Sequence, residues 1–134
     1  MSTTPHPAEA VRIARTPDGI YRLHTETVIP YALDEVFAFF AEPQNLEALT
    51  PPWLNFEITT PAPIEMRQGT LIDYRLKLHG ILVKWRTEIS EWEPPFRFVD
   101  RQLKGPYRLW HHEHTFTECD AGTRVTDDVH YAVL

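Results

Sequence analysis

From Asn55 to Leu134 the chain sets apolar residues against polar ones at every second position, in segments cut by Pro, Gly and Asp, with no long helical period between them. A period of two sends successive side chains to opposite faces, so this stretch reads as strands over 56–60, 70–78, 82–92, 96–103, 107–118 and 123–133. The breaks at Gly80, Glu93-Pro94-Pro95, Lys104-Gly105-Pro106 and Asp120-Ala121-Gly122 are too short for crossovers. The strands they join must therefore run antiparallel.

Upstream, residues 20–29 alternate as another strand closed by Pro30. Leu33, Val36, Phe37 and Phe40 then recur at spacings of three and four, which predicts a helix over 33–41 with an apolar stripe. Asp34 and Glu35 fall in its first turn, where negative charge is favourable. Pro43 breaks this helix, and a second short one is expected over 45–49, stopped by Thr50-Pro51-Pro52. The fold class is α+β: a curved antiparallel sheet of about seven strands with two short helices after the first. The polar, proline-bearing start places residues 1–18 in a flexible tail and the folded domain in 19–134.

A chain of 134 residues is large enough to bury one core. A net charge of -6 works against binding to phosphate backbones, so nucleic acid is not an expected partner. No stretch approaches the roughly 20 apolar residues of a spanning helix, and no signal-peptide pattern opens the chain, so no stable membrane anchor is expected. The single Cys119 cannot form an internal disulfide and fits a reducing compartment, the cytoplasm; its place at a strand end beside Asp120 suggests a surface thiol.

Residues two apart on a strand share a face. Val83, Trp85, Thr87 and Ile89 form one such set, Phe96, Phe98, Asp100 and Gln102 a second, Trp110, His112, His114 and Phe116 a third, and Thr123, Val125, Asp127, Val129 and Tyr131 a fourth. Aligned, they give an aromatic floor of Trp85, Phe96, Phe98, Trp110, Phe116 and Tyr131 with a polar inset of Asp100, Gln102, His112, His114 and Asp127. Inward polar groups need partners, since burying an unpaired carboxylate or imidazole costs several kcal/mol. Two readings are open: cross-strand pairing, as in Asp100 with His112 or His114 with Asp127, or contact with a ligand. A metal would need more than His112 and His114, since His111 points to the other face and at least one further ligand such as Asp100 or Asp127 must join; no metal and no cofactor is assigned.

The runs Phe39-Phe40, Pro43, Asn45-Leu46, Thr50-Pro51-Pro52-Trp53, Gly69, Asp73-Tyr74, Trp85 and Glu93-Pro94-Pro95 carry a resemblance. So do Phe98-Val99-Asp100, Gln102, Gly105-Pro106-Tyr107, Trp110, His112, His114-Thr115-Phe116, Thr123, Asp127 and Tyr131. Together they resemble a bacterial ligand-binding branch of the START-like SRPBCC superfamily, which includes polyketide cyclases and dehydrases, plant allergens and lipid-transfer domains. The likeness spans about Ile20 to Tyr131 and implies a helix-grip fold, a seven-stranded sheet around a long C-terminal helix with a cavity between. This chain stops at Leu134 directly after the last expected strand, so that helix is expected to be absent and the aromatic floor to invite association, a homodimer in the simplest case.

Three functions remain open on the residues. The leading one is binding of a small hydrophobic or amphipathic molecule, a lipid, polyketide or aromatic metabolite, through Trp85, Phe98, Asp100, Gln102, Trp110, His112, His114, Phe116, Asp127 and Tyr131. The second is a cofactor-independent cyclase or dehydratase using His112 and His114 with Asp127, and Tyr131 or Tyr74 as donor. The third is a protein-interaction module through the open sheet face. Thr50-Pro51-Pro52-Trp53 is a candidate rim for the entrance.

Overall fold

The computed structural model describes residues 10–49 and 52–134. Its elements run β1 (Ala10–Arg15), β2 (Tyr21–Ile29), α1 (Leu33–Phe40), α2 (Pro43–Leu49), a 3-10 turn (Pro52–Leu54), then β3 (Glu57–Ile58), β4 (Leu71–Leu78), β5 (Ile81–Glu93), β6 (Arg97–Lys104), β7 (Tyr107–Cys119) and β8 (Gly122–Val133). All eight strands form one curved antiparallel sheet in the order β1-β2-β8-β7-β6-β5-β4-β3. The meander β3 to β8 is thus completed by β2 pairing along β8, from Tyr21 opposite Tyr131 to Ile29 opposite Thr123. No long helix follows β8 among the described residues.

The expected tail is corrected over residues 10–15, which form β1 and pair with β2 from Ala10 opposite Glu26 to Arg15 opposite Tyr21. The turn responsible is Thr16-Pro17-Asp18-Gly19: the Thr16 backbone N–H donates to Ile20 O at 2.8 Å, the Thr16 hydroxyl bonds Asp18, and Gly19 takes φ +83°. Pro fixes the turn's entry and Gly supplies its positive φ at no steric cost. Residues 1–9, the polar start of the expected tail, lie outside the described residues, as do Thr50 and Pro51 of the expected rim. Trp53, the large residue of that rim, is exposed.

Local chemistry explains the other boundaries. His79 and Gly80 both take positive φ, 52° and 78°, the pair a two-residue hairpin needs to match strand twist between β4 and β5. In α1 the spacing of Leu33, Val36 and Phe37 puts all three on the buried stripe. That stripe packs on Ile72, Ile89, Phe98, Phe116 and Val125, which share the inner face of the sheet. Phe37 meets Phe98 edge-on at 5.9 Å and Phe116 at 5.1 Å. Burying each such ring stabilises by roughly 1.5–3 kcal/mol.

The outer face is an ion-pair lattice: Arg86 to Asp73 at 2.8 Å, Arg101 to Glu88 at 2.7 Å, and Arg97 to Glu113 and Glu91 at 2.8 Å each. Exposed pairs of this kind add at most about 1 kcal/mol each, so the lattice serves solvation more than cohesion. Apolar cohesion belongs mainly to the inner face, although Val99 is fully buried between Glu91 and Glu113 on the outer one.

Two of the sheet's three register shifts bring aromatic residues to the inner face. A register shift between Ile89 and Glu91 returns Trp92 to the inner side, where it pairs with Phe98 and its ring lies 5.4 Å from Phe37. A second shift, between Tyr107 and Leu109, brings Tyr107 to the inner aromatic group rather than the side of His111 and Glu113. Strict alternation places both residues outward, and the inserted residue at each bulge reverses that.

Candidate ligand site on the inner face

Moving along β7 away from α1, the inner face passes from Phe116 to His114, His112 and Trp110. The neighbouring strands bring Phe98 opposite His114, Asp100 opposite His112, Asp127 opposite His114 and Tyr131 opposite Trp110. Side chains two residues apart on three bonded strands therefore converge without any loop to position them. The site has two parts: a polar box of Asp100, His112, His114 and Asp127, and an aromatic group around Trp85 and Trp110.

Inside the box, the hydrogen bonds run diagonally to the strand register. His112 Nε2 meets Asp127 Oδ1 at 2.8 Å, and His114 Nε2 meets Asp100 Oδ2 at 2.5 Å. The directly opposite pairs are longer, His112 Nδ1 to Asp100 Oδ2 at 3.7 Å and His114 Nδ1 to Asp127 Oδ1 at 3.4 Å. The expected partners are thus all present but crossed over, because the two imidazoles stack face to face with centroids 3.7 Å apart and present both nitrogens sideways. Thr25 on β2 donates its hydroxyl to Asp127 Oδ2 at 3.1 Å.

The side chains of His114, Asp100 and His112 are 15%, 18% and 20% exposed, so the box is largely desolvated yet reachable. Burial pulls the His114 imidazolium down, but the carboxylates of Asp100 and Asp127 outweigh it and raise the group to about 9. His114 is therefore charged at neutral pH. Burial pushes Asp100 up, while the attraction of His112 and the hydrogen bond from His114 more than offset it and hold the carboxyl below its ordinary value. Asp127 is likewise pushed up by burial and drawn well below the carboxylate range by its bonds to both histidines. Charges that would be costly alone stabilise one another here.

The aromatic group adjoins the box. Trp85 is stacked on Tyr74 at 5.6 Å and meets Trp110 edge-on at 5.4 Å and Tyr107 at 5.6 Å. Tyr131 stacks on Tyr21 at 5.3 Å and lies 6.0 Å from Trp110. The Trp85 indole N–H is buried with no hydrogen-bond partner among the described residues. Tyr74 bonds Thr87 at 3.1 Å, and burial pushes its phenol well above the ordinary value. The open cleft of about 410 Å³ along β4 and β5 lies on the other side of the sheet, among Asp73, Arg75, Lys84, Arg86 and Lys104, and is no part of this group.

Most residues read from the sequence as site residues do converge: Trp85, Trp110 and Tyr131 in the aromatic group, Asp100, His112, His114 and Asp127 in the box. Phe98 and Phe116 are 4% and 1% exposed and belong to the core beneath α1 rather than to an open floor. Gln102 is turned to a different task, since its amide donates to Tyr107 O at 2.7 Å and accepts from Tyr107 N at 3.1 Å. Phe96, also expected on the floor, is 58% exposed in the turn before β6. His111 faces outward toward His130, as the alternation predicts. Sequence reasoning misses Tyr107, hidden by its bulge, and Tyr21 and Thr25, whose strand gives no sign of lying against β8.

A curved antiparallel sheet with paired short helices closing one end of its inner face, and an aromatic and ionisable group along the rest, defines a domain of the helix-grip class. The chain belongs to the polyketide cyclase/dehydrase and lipid transport family, whose model matches residues 29–134. Solved structures agree on the fold. Protein Ms6760 from Mycobacterium smegmatis superposes with a TM-score of 0.69 at 22% identity, covering 92% of this chain and 80% of that one. The Zhui aromatase/cyclase from Streptomyces sp. R1128 gives 0.68 at 18% identity, covering 86% and 69%. TTHA0849 from Thermus thermophilus gives 0.62 at 21%, covering 84% and 75%. A comparison with curated proteins found no match. Among the described residues, no helix is long and apolar enough to cross a membrane.

Proposed function

We propose that this chain binds a small amphipathic molecule with an aromatic or extended apolar body on the inner face, its apolar part against Trp85, Trp110 and Tyr131 and its polar end at the box. The observation that carries this reading is the adjacency of the two parts: Trp110 lies 6.3 Å from His112, so a single small molecule spans both. The buried, unpartnered Trp85 N–H adds a donor that a ligand carbonyl could satisfy. The family supports it, since its members combine hydrophobic-ligand transport with cyclase and dehydrase chemistry.

A second reading, a cofactor-independent cyclase or dehydratase, is favoured by one feature. His112 and His114 each hold a carboxylate within hydrogen-bond distance, the arrangement that lets an imidazole pass a proton to or from a carbonyl compound.

Tryptophan fluorescence titrated with a hydroxynaphthoquinone and, separately, with palmitate tests the binding reading. Saturable quenching by one of them, weakened at least tenfold in Trp110→Ala and in His112→Phe while melting is preserved, is expected. Altered melting with unchanged affinity in both variants would assign these residues to stability alone. Turnover of a linear poly-β-carbonyl compound, lost on replacing either histidine, would select the enzyme.

A further inference from the structure

The box contains more order than pairing of charges requires. His112 Nδ1 and His114 Nε2 turn toward Asp100 Oδ2, at 3.7 and 2.5 Å, and the ligand-type atoms of these three residues all lie within 4.8 Å of one another. The opposite nitrogens, His112 Nε2 and His114 Nδ1, both turn toward Asp127 Oδ1, at 2.8 and 3.4 Å. One carboxylate thus sits where the rings converge, and the other holds both rings from behind.

We propose that Asp100, His112 and His114 form a three-ligand site for a divalent transition metal, Zn²⁺ being the simplest occupant, with Asp127 as the carboxylate that orients both imidazoles.

The distances fit once the rings turn: His112 and His114 stack 22° from parallel, so their planes must splay for both nitrogens to aim at one ion, and their separation, now within 4.8 Å, must reach tetrahedral spacing. Tetrahedral Zn²⁺ with bonds near 2.0–2.1 Å separates its ligand atoms by about 3.3 Å. The 3.7 Å contact must close slightly and the 2.5 Å contact must open by less than about 1 Å, the ion replacing the proton now held between His114 and Asp100. A histidine that binds metal through one nitrogen gives the other to a carboxylate, which fixes its tautomer and ring plane; Asp127 occupies that place for both rings, and Thr25 in turn holds Asp127 at 3.1 Å. Two histidines at i and i+2 of β7 and an aspartate on bonded β6 form a rigid set. Two nitrogens and one oxygen suit Zn²⁺ or Co²⁺ and not Mg²⁺ or Ca²⁺, which demand more oxygens. Three protein ligands leave a fourth position, and the 15–20% exposure of the set leaves a path to it from the inner face.

The metal site stands independently of an organic ligand, because the metal alone is titrated. The full chain is stripped with chelator and titrated with Co²⁺, read by its visible d–d absorption, and with Zn²⁺ in competition. One ion per chain with a tetrahedral Co²⁺ spectrum is expected. His112→Gln and His114→Gln should each weaken binding more than 100-fold, Asp127→Asn by about 10–100-fold, and the outward-facing His24→Gln not at all. In the unaltered chain, long-range nitrogen correlation spectra should show Zn²⁺ shifting His112 Nδ1 and His114 Nε2. That measurement decides the matter if a variant fails to fold. An octahedral or sub-stoichiometric Co²⁺ signal, unchanged affinity in the histidine variants, or shifts confined to other histidines would overturn the proposal, and would leave the inner-face binding of an amphipathic molecule untouched.

Discussion

Phe98 lies flat against His114, ring centroids 4.1 Å apart and 16° from parallel. The apolar core beneath α1 and the charged box therefore share a wall. On one side Phe98 is 4% exposed and touches Phe37, Trp92 and Phe116; on the other it carries a charged imidazole across its π face, an arrangement worth about 0.5–2 kcal/mol. Core packing thereby fixes the orientation of the His114 ring.

Phe98→Ala should then cost about 3–5 kcal/mol of stability, the usual range for emptying a buried phenylalanine site. Phe98→Leu should cost far less in stability, yet it removes the aromatic face and should shift the His114 ring resonances. Urea unfolding with imidazole NMR checks both. A large stability loss in Phe98→Leu, with unmoved His114 resonances, would show that shape alone matters at this position.

Gly122 opens β8 with φ +135°, and a Cβ there would come within 2.2 Å of Ile29 O and 2.9 Å of Tyr31 N. Both are backbone atoms at the end of β2, so nothing flexible can yield. Gly122→Ala should destabilise by more than about 3 kcal/mol, combining strain with collision. Gly80 also has positive φ but nothing within 4 Å, so Gly80→Asn should cost under about 1 kcal/mol. Equal effects of the two substitutions in thermal unfolding would sink the argument from close approach.

The same strand pairing explains how much of this protein is legible in its sequence. Strands β4 to β8 and both helices follow from alternation and proline breaks, and the box follows from parity, because Asp100, His112, His114 and Asp127 sit on segments with no bulge between them. Parity fails where an inserted residue resets it, which is why alternation alone puts Tyr107 and Trp92 on the wrong face. The diagonal bonding in the box depends on imidazole stacking, a property of side-chain rotamers that residue order does not encode. Strand β1 is hard to read although Thr16-Pro17-Asp18-Gly19 is a turn signature, because only Val11 and Ile13 alternate there, directly after a polar, proline-bearing start.

Gln102 provides a separation of roles. Its amide makes two bonds to Tyr107 and spans the turn between β6 and β7, and it lies so close to Gly105 that a Cβ there would meet Gln102 Oε1 at 2.4 Å. Gln102→Ala should lower stability by about 1–3 kcal/mol, since Tyr107's backbone groups lose their partners. Affinity for an inner-face ligand should stay within about twofold once the protein is folded. Titration at a temperature well below the variant's melting point checks this; a selective tenfold loss of affinity would return Gln102 to the binding group.

On the outer face, His24 Nδ1 meets Asp128 Oδ1 at 2.7 Å and His24 Nε2 meets Glu26 Oε2 at 2.9 Å. The hydrogen bond to Asp128, then that to Glu26, raises the imidazole above its ordinary value, so the fold favours the protonated ring. The stabilisation is fully present below the unfolded value near 6.5 and is lost as pH rises through the folded one. His24→Gln, neutral at every pH, should therefore be less stable than the parent at pH 5.5, by about 1 kcal/mol, and the gap should narrow toward pH 9. Both carboxylates remain ionised across this range because His24 draws them below their ordinary values against the opposing effect of burial. Urea midpoints at three pH values give the answer, and a gap that widens with pH would mean that the neutral ring, not the imidazolium, is the form the fold prefers.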